Sequence, residues 1–395
     1  MTDTLVTGAT AAPAKPATRP ARPHFSSGPC AKPPGWDAAK LATEVLGRSH
    51  RSKLGKARLH YCTELMREVL RLPDTHRIGI VPGSDTGAFE MAMWTMLGAR
   101  PVTTLAWESF GEGWVTDAVK QLRLDPTVLR ADYGRLPDLR QVDWSHDVLF
   151  TWNGTTSGVR VPDGDWIADD REGLSFADAT SAVFAYALPW DKIDVATFSW
   201  QKVLGGEGGH GVIILGPRAV ERLTSYTPAW PLPKVFRLVS KGALAEGVFK
   251  GETINTPSML AVEDAIFALE WAQSVGGLDG LIARSDANAA ALDRIVADRD
   301  WLGHLAADPA SRSTTSVCLT VAGADEALIK AMASALEKEG AAFDIAGYRD
   351  APPGLRIWCG ATVDVADIEA LGPWLDWAYS AVMAAENADA ERLSS

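Results

Sequence analysis

The chain has 395 residues, 47% of them hydrophobic and 22% charged, enough to bury the core of one large domain and a smaller one. Its 38 Lys and Arg against 50 Asp and Glu leave a net charge of −12, which excludes broad binding to nucleic acid or to anionic membrane. No apolar run approaches the ~20 residues of a membrane span. Cys30, Cys62, Cys318 and Cys359 are far apart, without a CxxC pair, a spacing that suits a reducing cytoplasm better than a disulfide framework or a zinc site.

Residues 1–23, rich in Ala, Thr and Pro, hold too little apolar surface to fold and predict a disordered tail. Beyond them, helical and extended signals alternate. Apolar spacing predicts helices at 62–71, 87–97 and 114–124, and strands at 77–81, 102–105, 147–152, 174–178, 195–199 and 211–215. Strands separated by helices predict an α/β domain, a mostly parallel sheet with helices on both faces. The pattern breaks at 276–280. After it come a helix at 281–299, strands at 316–321, 342–345 and 355–359, and helices at 326–339 and 365–385, which together predict a compact α+β unit. The expected organisation is thus a tail over 1–23, a large domain over 24–280 whose first residues pack on the small unit, and the small unit over 281–395.

Chemistry concentrates in the stretch from Ser199 to Gly211. Gly206, Gly208 and Gly211 match G-x-G-x-x-G, but the last glycine enters the apolar run Val212-Ile213-Ile214-Leu215 rather than a helix, so the dinucleotide reading fails on context. What remains is Lys202, just past a strand and followed by a glycine loop. Alone it reads as a surface lysine. Asp178 ends another apolar strand among small residues, and a buried carboxylate is costly unless it is paired. A protonated pyridine nitrogen is such a partner, and a lysine across the same pocket can hold a cofactor aldehyde as a Schiff base. Upstream, Gly83-Ser84-Asp85-Thr86 joins a strand to a helix N-terminus, where free amides favour phosphate. An ordinary N-cap by Ser84 or Asp85 explains the same residues. An Asp85 carboxylate pointing inward would repel a phosphate, so the amides and Thr86 are expected to hold it.

Taken in order, these residues resemble the fold-type-I pyridoxal-phosphate enzymes of the class V aminotransferase group, and within it the phosphoserine aminotransferase family. The resemblance runs from His24 to about Ala384. It is carried by Phe25-Ser26-Ser27-Gly28-Pro29, Ser49-His50-Arg51, Asn153-Gly154-Thr155, Ala177-Asp178, Gln201-Lys202, Asn255-Thr256-Pro257, Gly347-Tyr348-Arg349 and Gly354-Leu355-Arg356. It implies a seven-stranded, mostly parallel sheet with a smaller α+β C-terminal domain.

The resemblance also implies roles. Lys202 forms the Schiff base with pyridoxal 5′-phosphate and shuttles the proton, and Asp178 keeps the ring nitrogen protonated. Trp114 stacks on the ring, Thr155 and Gln201 contact its phenolic oxygen or nearby groups, and Asp85 and Thr86 hold the phosphate. Asn255 and Thr256 reach that phosphate from the neighbouring subunit of a homodimer. Arg356 clamps the substrate α-carboxylate, while Ser27, His50, Arg51 and Arg349 receive its second anion. The implied reaction is ping-pong transfer from glutamate to 3-phosphohydroxypyruvate in serine synthesis, with a phosphorylated hydroxythreonine of vitamin B6 synthesis as a second substrate. The sequence departs from the family at Thr86, Tyr348 and Trp200, and the first two departures remove positive charge from the phosphate pocket. Serine– or alanine–glyoxylate aminotransferase is the alternative within this chemistry, and a non-catalytic binding protein the alternative outside it. A cysteine desulfurase is disfavoured because Cys318 and Cys359 fall in predicted strands.

Overall fold

A computed structural model describes residues 14–394. Its centre is a seven-stranded sheet of β1 (Arg77–Pro82), β2 (Val102–Ala106), β3 (Thr127–Arg130), β4 (Asp147–Thr151), β5 (Ser175–Asp178), β6 (Val195–Ser199) and β7 (His210–Leu215). The strand order is β1-β7-β6-β5-β4-β2-β3; β7 runs antiparallel to both neighbours and the remaining pairs are parallel. This is the mostly parallel α/β sheet expected from the sequence.

Period-two alternation explains why both faces are covered. Ile80, Phe150, Ala177, Phe198 and Val212 enter one apolar core, and Val81, Leu149, Phe176, Val195 and Ile213 enter the other. The first core lies under α1 (Lys53–Leu70) and, near the chain's C-terminal half, α5 (Met259–Ser274). The second lies under α2 (Ser84–Met96), α3 (Ser109–Thr116) and α4 (Pro217–Ser225). Ser52 caps α1 by accepting the Gly55 N–H at 3.1 Å, and Arg71 ends it in the left-handed region at φ 52°.

Every parallel strand delivers its C-terminus to one edge of the sheet, and β7 begins at that edge. The opposite edge is fastened by buried acids. Asp147 accepts from Arg222 at 2.8 Å and from the Leu174 amide at 2.9 Å. Asp194 accepts from Arg171 at 3.1 Å, Arg218 at 3.0 Å and the Ser175 amide at 2.9 Å. Arg218 and Arg222 are one turn apart on α4, so a single helix serves both acids.

Gly276, at φ 107°, starts α6 (Gly277–Ala297), which leads into an antiparallel sheet of β8 (Leu302–His304), β9 (Ser316–Val321) and β10 (Gly354–Trp358) with α7 (Glu326–Lys338) and α8 (Val365–Ser394). The strand expected at 342–345 is replaced by single bridges at Phe343 and Ala346, because Asp344 turns into the left-handed region at φ 57°. Of the expected disordered tail, residues 1–13 lie outside the described residues, but 14–23 are ordered against the small unit. Trp374 Nε1 donates to Thr18 O at 2.7 Å, the Ala21 amide donates to Asp367 at 2.6 Å, and Lys15 reaches Glu339 at 2.9 Å. Buried Pro20 and the three partners on or beside α7 and α8 supply the energy that composition alone did not reveal.

Candidate active site

The strand-end edge encloses a cavity of about 380 Å³. Its lining includes Asp85, Thr86, Trp114, Thr155, Asp178, Gln201 and Lys202. These come from the turns after β1, β2, β4, β5 and β6, where a parallel α/β sheet places its ligand sites.

Lys202 is 9% exposed, and its Nζ donates to the carbonyl of Ser27. Burial pulls its pKa down, and the nearby Arg356 guanidinium pulls it the same way against the pull of Asp178. A lowered pKa favours the neutral, nucleophilic amine. Asp178 is buried at the end of β5; Trp114 Nε1 donates to its Oδ2 and the Thr180 amide to its Oδ1, each at 3.1 Å. The Trp114 indole therefore flanks the acid, with its other side against Phe89 at 4.5 Å between ring centroids.

At the α2 N-terminus, the carbonyl of Gly209 takes the amides of Gly83 and Ser84 at 3.2 and 3.3 Å. The amides of Asp85 and Thr86 have no backbone acceptor among the described residues, and both residues line the cavity. The Asp85 carboxyl is buried, and burial together with the neighbouring Asp178 charge raises its pKa well above the usual aspartate range. Thr155 Oγ1 pairs with Ser181 Oγ at 2.5 Å.

Other expected residues stand outside this lining. Ser27 approaches through its carbonyl, while its hydroxyl accepts from Ser316 at 3.2 Å. Arg356, on β10 opposite Cys318, acts electrostatically on Lys202 and Cys30, and its Nε is buried without a partner among the described residues. The Tyr348 ring centre lies 5.4 Å from the Arg349 guanidinium and 5.8 Å from that of Arg356. The Arg349 side chain is 80% exposed. His50, Arg51, Asn255 and Thr256 do not reach the cavity of their own chain; His50 is buried and Thr256 exposed. Trp200 turns into the core, its Nε1 donating to Met66 Sδ at 3.4 Å.

Phe110, Thr151 and Thr180, not expected from the sequence, also line the cavity. Thr151 ends β4, Thr180 follows β5 and Phe110 lies on α3 after β2, so nearness to strand ends was the available signal. The four cysteines are free and buried. Burial pushes the thiols of Cys30 and Cys318 up to about 12, which leaves no thiolate for desulfurase chemistry.

No protein-family model matches the chain. Among curated proteins, phosphoserine aminotransferase of Methanosarcina barkeri is 58% identical over 369 residues, covering 93% of this chain and 100% of the relative. That of Methanosarcina mazei is 57% identical over the same shares. The chain belongs to the phosphoserine aminotransferase family. Solved structures agree on the fold. The phosphoserine aminotransferase of Cytophaga hutchinsonii superposes with a TM-score of 0.78 at 20% identity, covering 90% of this chain and 99% of that one. Alanine–glyoxylate aminotransferase from Nostoc gives 0.77 at 18% identity, covering 93% and 97%, so the fold is shared across the two activities.

The cavity of this family member suits pyridoxal phosphate on its own chemistry. Around it, Asp85 Oδ1, Thr151 Oγ1, Thr180 Oγ1 and Gln201 Oε1 are buried without hydrogen-bond partners among the described residues. Such groups are costly unless a ligand or water meets them. An amine, an acid and a helix N-terminus surround the same space.

Proposed function

We propose that the protein is a pyridoxal-phosphate-dependent phosphoserine aminotransferase, passing the amino group of L-glutamate to 3-phosphohydroxypyruvate to yield 2-oxoglutarate and O-phospho-L-serine. The observation that carries this is the 58% identity to the Methanosarcina barkeri phosphoserine aminotransferase across 93% of the chain. When bound, the cofactor supplies the carbonyl that takes up the amino group and the ring that accepts the electrons released at the substrate Cα.

The chain's residues do the rest. Asp178 faces the ring nitrogen and holds its proton. Trp114, fixed by its bond to Asp178, covers one ring face. The amides of Asp85 and Thr86, at the positive end of the α2 dipole, receive the phosphate. Thr155 and Gln201 meet the ring's phenolic oxygen. Lys202 Nζ, whose burial favours the neutral amine, would hold the cofactor through its carbonyl and move the proton at the substrate Cα. Arg356, with a buried guanidinium nitrogen to satisfy, binds the α-carboxylate through its planar fork.

The remaining assignments involve a second copy of the chain. In a homodimer, Asn255 and Thr256 complete the neighbouring phosphate site. His50 and Arg51 join Arg349 and Ser27 at the second substrate anion. Residues 24–280 form the cofactor-binding domain and 281–395 the small domain. The substrate is tested by single-turnover reaction of the pyridoxal-phosphate form with O-phosphoserine, serine, alanine and glutamate. O-phosphoserine and glutamate should discharge the visible cofactor absorbance fastest. Serine or alanine matching O-phosphoserine would remove the phosphate specificity.

A further inference from the structure

The carboxyl of Asp85 has no part in the function proposed above, which uses only its amide. It belongs to the first turn of α2, where a lone carboxylate usually satisfies neighbouring amides. Here it does something else. It is 7% exposed, lines the cavity beside Asp178, itself 5% exposed, and leaves Oδ1 without a partner among the described residues. The groups facing it are the Asp178 carboxyl from β5 and the hydroxyls of Thr197 on β6 and Thr180 after β5. Lys202 lines the same cavity, and Glu108, outside its lining, also feels the Asp178 charge. Asp178 already accepts from Trp114 and the Thr180 amide.

Two ionised carboxylates in this position would lose their hydration and repel each other. The α2 dipole favours an anion at Asp85, but it is the weaker effect. One proton resolves the conflict, because a carboxylic acid donates a short, strong bond to a carboxylate.

We propose that Asp85 and Asp178 hold one proton between them, carried on Asp85, so that an acid bonded to a carboxylate stands where a lone aspartate is expected. The pair then carries a single negative charge, matched to one protonated ring nitrogen. A neutral Asp85 also removes the repulsion that an anion would exert on a phosphate seated over its own amide. Asp85 is thus a positioning residue acting through Asp178. Its effect on the ring nitrogen rests on the aminotransferase reading, whereas the proton is a property of the chain itself.

Infrared difference spectra of the full-length chain near neutral pH, wild type minus Asp85→Asn, report the carbonyl stretch of a protonated carboxylic acid. The band is expected with pyridoxal phosphate bound and without it, and Asp85→Ser should remove it as Asp85→Asn does. Chemical unfolding of the cofactor-free chain gives an independent measure. A folded-state pKa above the unfolded value means that the native chain holds a proton the unfolded chain releases. The stabilisation is complete below the ordinary aspartate range and fades as pH rises toward the folded value. Relative to Asp85→Asn, the wild-type unfolding constant should rise with pH above the ordinary aspartate range, approaching tenfold per pH unit until the folded group itself loses its proton. An absent acid band, or parallel pH profiles, overturns the proposal. A band present in a protein that fails the O-phosphoserine reaction upholds the shared proton and sinks the aminotransferase reading instead.

Discussion

Lys202 and Gly28 make the sharpest residue-level contact in the cavity. Gly28 has φ 150°, and a Cβ there would overlap the Lys202 side-chain nitrogen. Only glycine leaves Nζ free to sit under the Ser27 carbonyl. Gly28→Ala should therefore displace the amine and lower kcat by about 10²-fold, the scale of an ångström-sized misplacement. Lys202→Ala should abolish the visible absorbance of the bound cofactor and lower kcat by about 10²–10⁴-fold. Stopped-flow absorbance with glutamate reads both, and a Gly28→Ala enzyme with wild-type kcat would show that the amine has room to spare. Lys202 and Asp178 were legible in the sequence as a pair: an acid at the end of an apolar strand needs a partner, and that need lifts the lysine above an ordinary surface reading. Thr151 and Thr180 were not, because hydroxyl residues after strands are commonplace as caps and turns. The inward turn of Asp85 was not legible either; a helix-start sequence says nothing of where the second carboxylate lies.

Elements were legible where one pattern dominated. The parallel strands read clearly because their two faces feed two cores. β3 was missed because its residues are exposed or half-buried and show no alternation. α5 was missed for the opposite reason: it buries residues around much of its circumference, including Glu263 and Asp264, and so lacks an amphipathic stripe. Glu263 is paired with Arg58 of α1, and Asp264 accepts from Lys32 and Trp36. The pairing of α4 with the far edge of the sheet gives an element-scale prediction. Asp194 is 4% exposed and holds Arg171, Arg218 and the start of β5. Asp194→Ala leaves two guanidinium groups without their acid and should cost about 3–5 kcal/mol of unfolding free energy. Because the site lies at the other edge, KM for O-phosphoserine should hold. Urea unfolding measures the first and steady-state kinetics the second; a loss below about 1 kcal/mol would mean that solvent replaces the network.

At the scale of the whole molecule, the proposed second copy can be tested without a structure of the dimer. A chain carrying Lys202→Ala has intact Asn255 and Thr256, and a chain carrying Asn255→Ala with Thr256→Ala has an intact Lys202. If these residues serve the neighbouring site, mixing and re-associating the two inactive proteins creates one complete site per mixed dimer. Activity should recover to roughly a quarter of the wild-type level for random re-pairing. No recovery would assign both residues to their own chain.

The segment from Lys15 to Arg22 meets the C-terminal third of the chain, and Thr18 is bonded to Trp374 across 356 positions. A contact of that span is among the last a folding chain can make, since the loop it closes is nearly the entire protein. During synthesis, the opening residues must wait until α8 has been made before they find a partner. The clasp therefore closes only once the residues of α8 have been made.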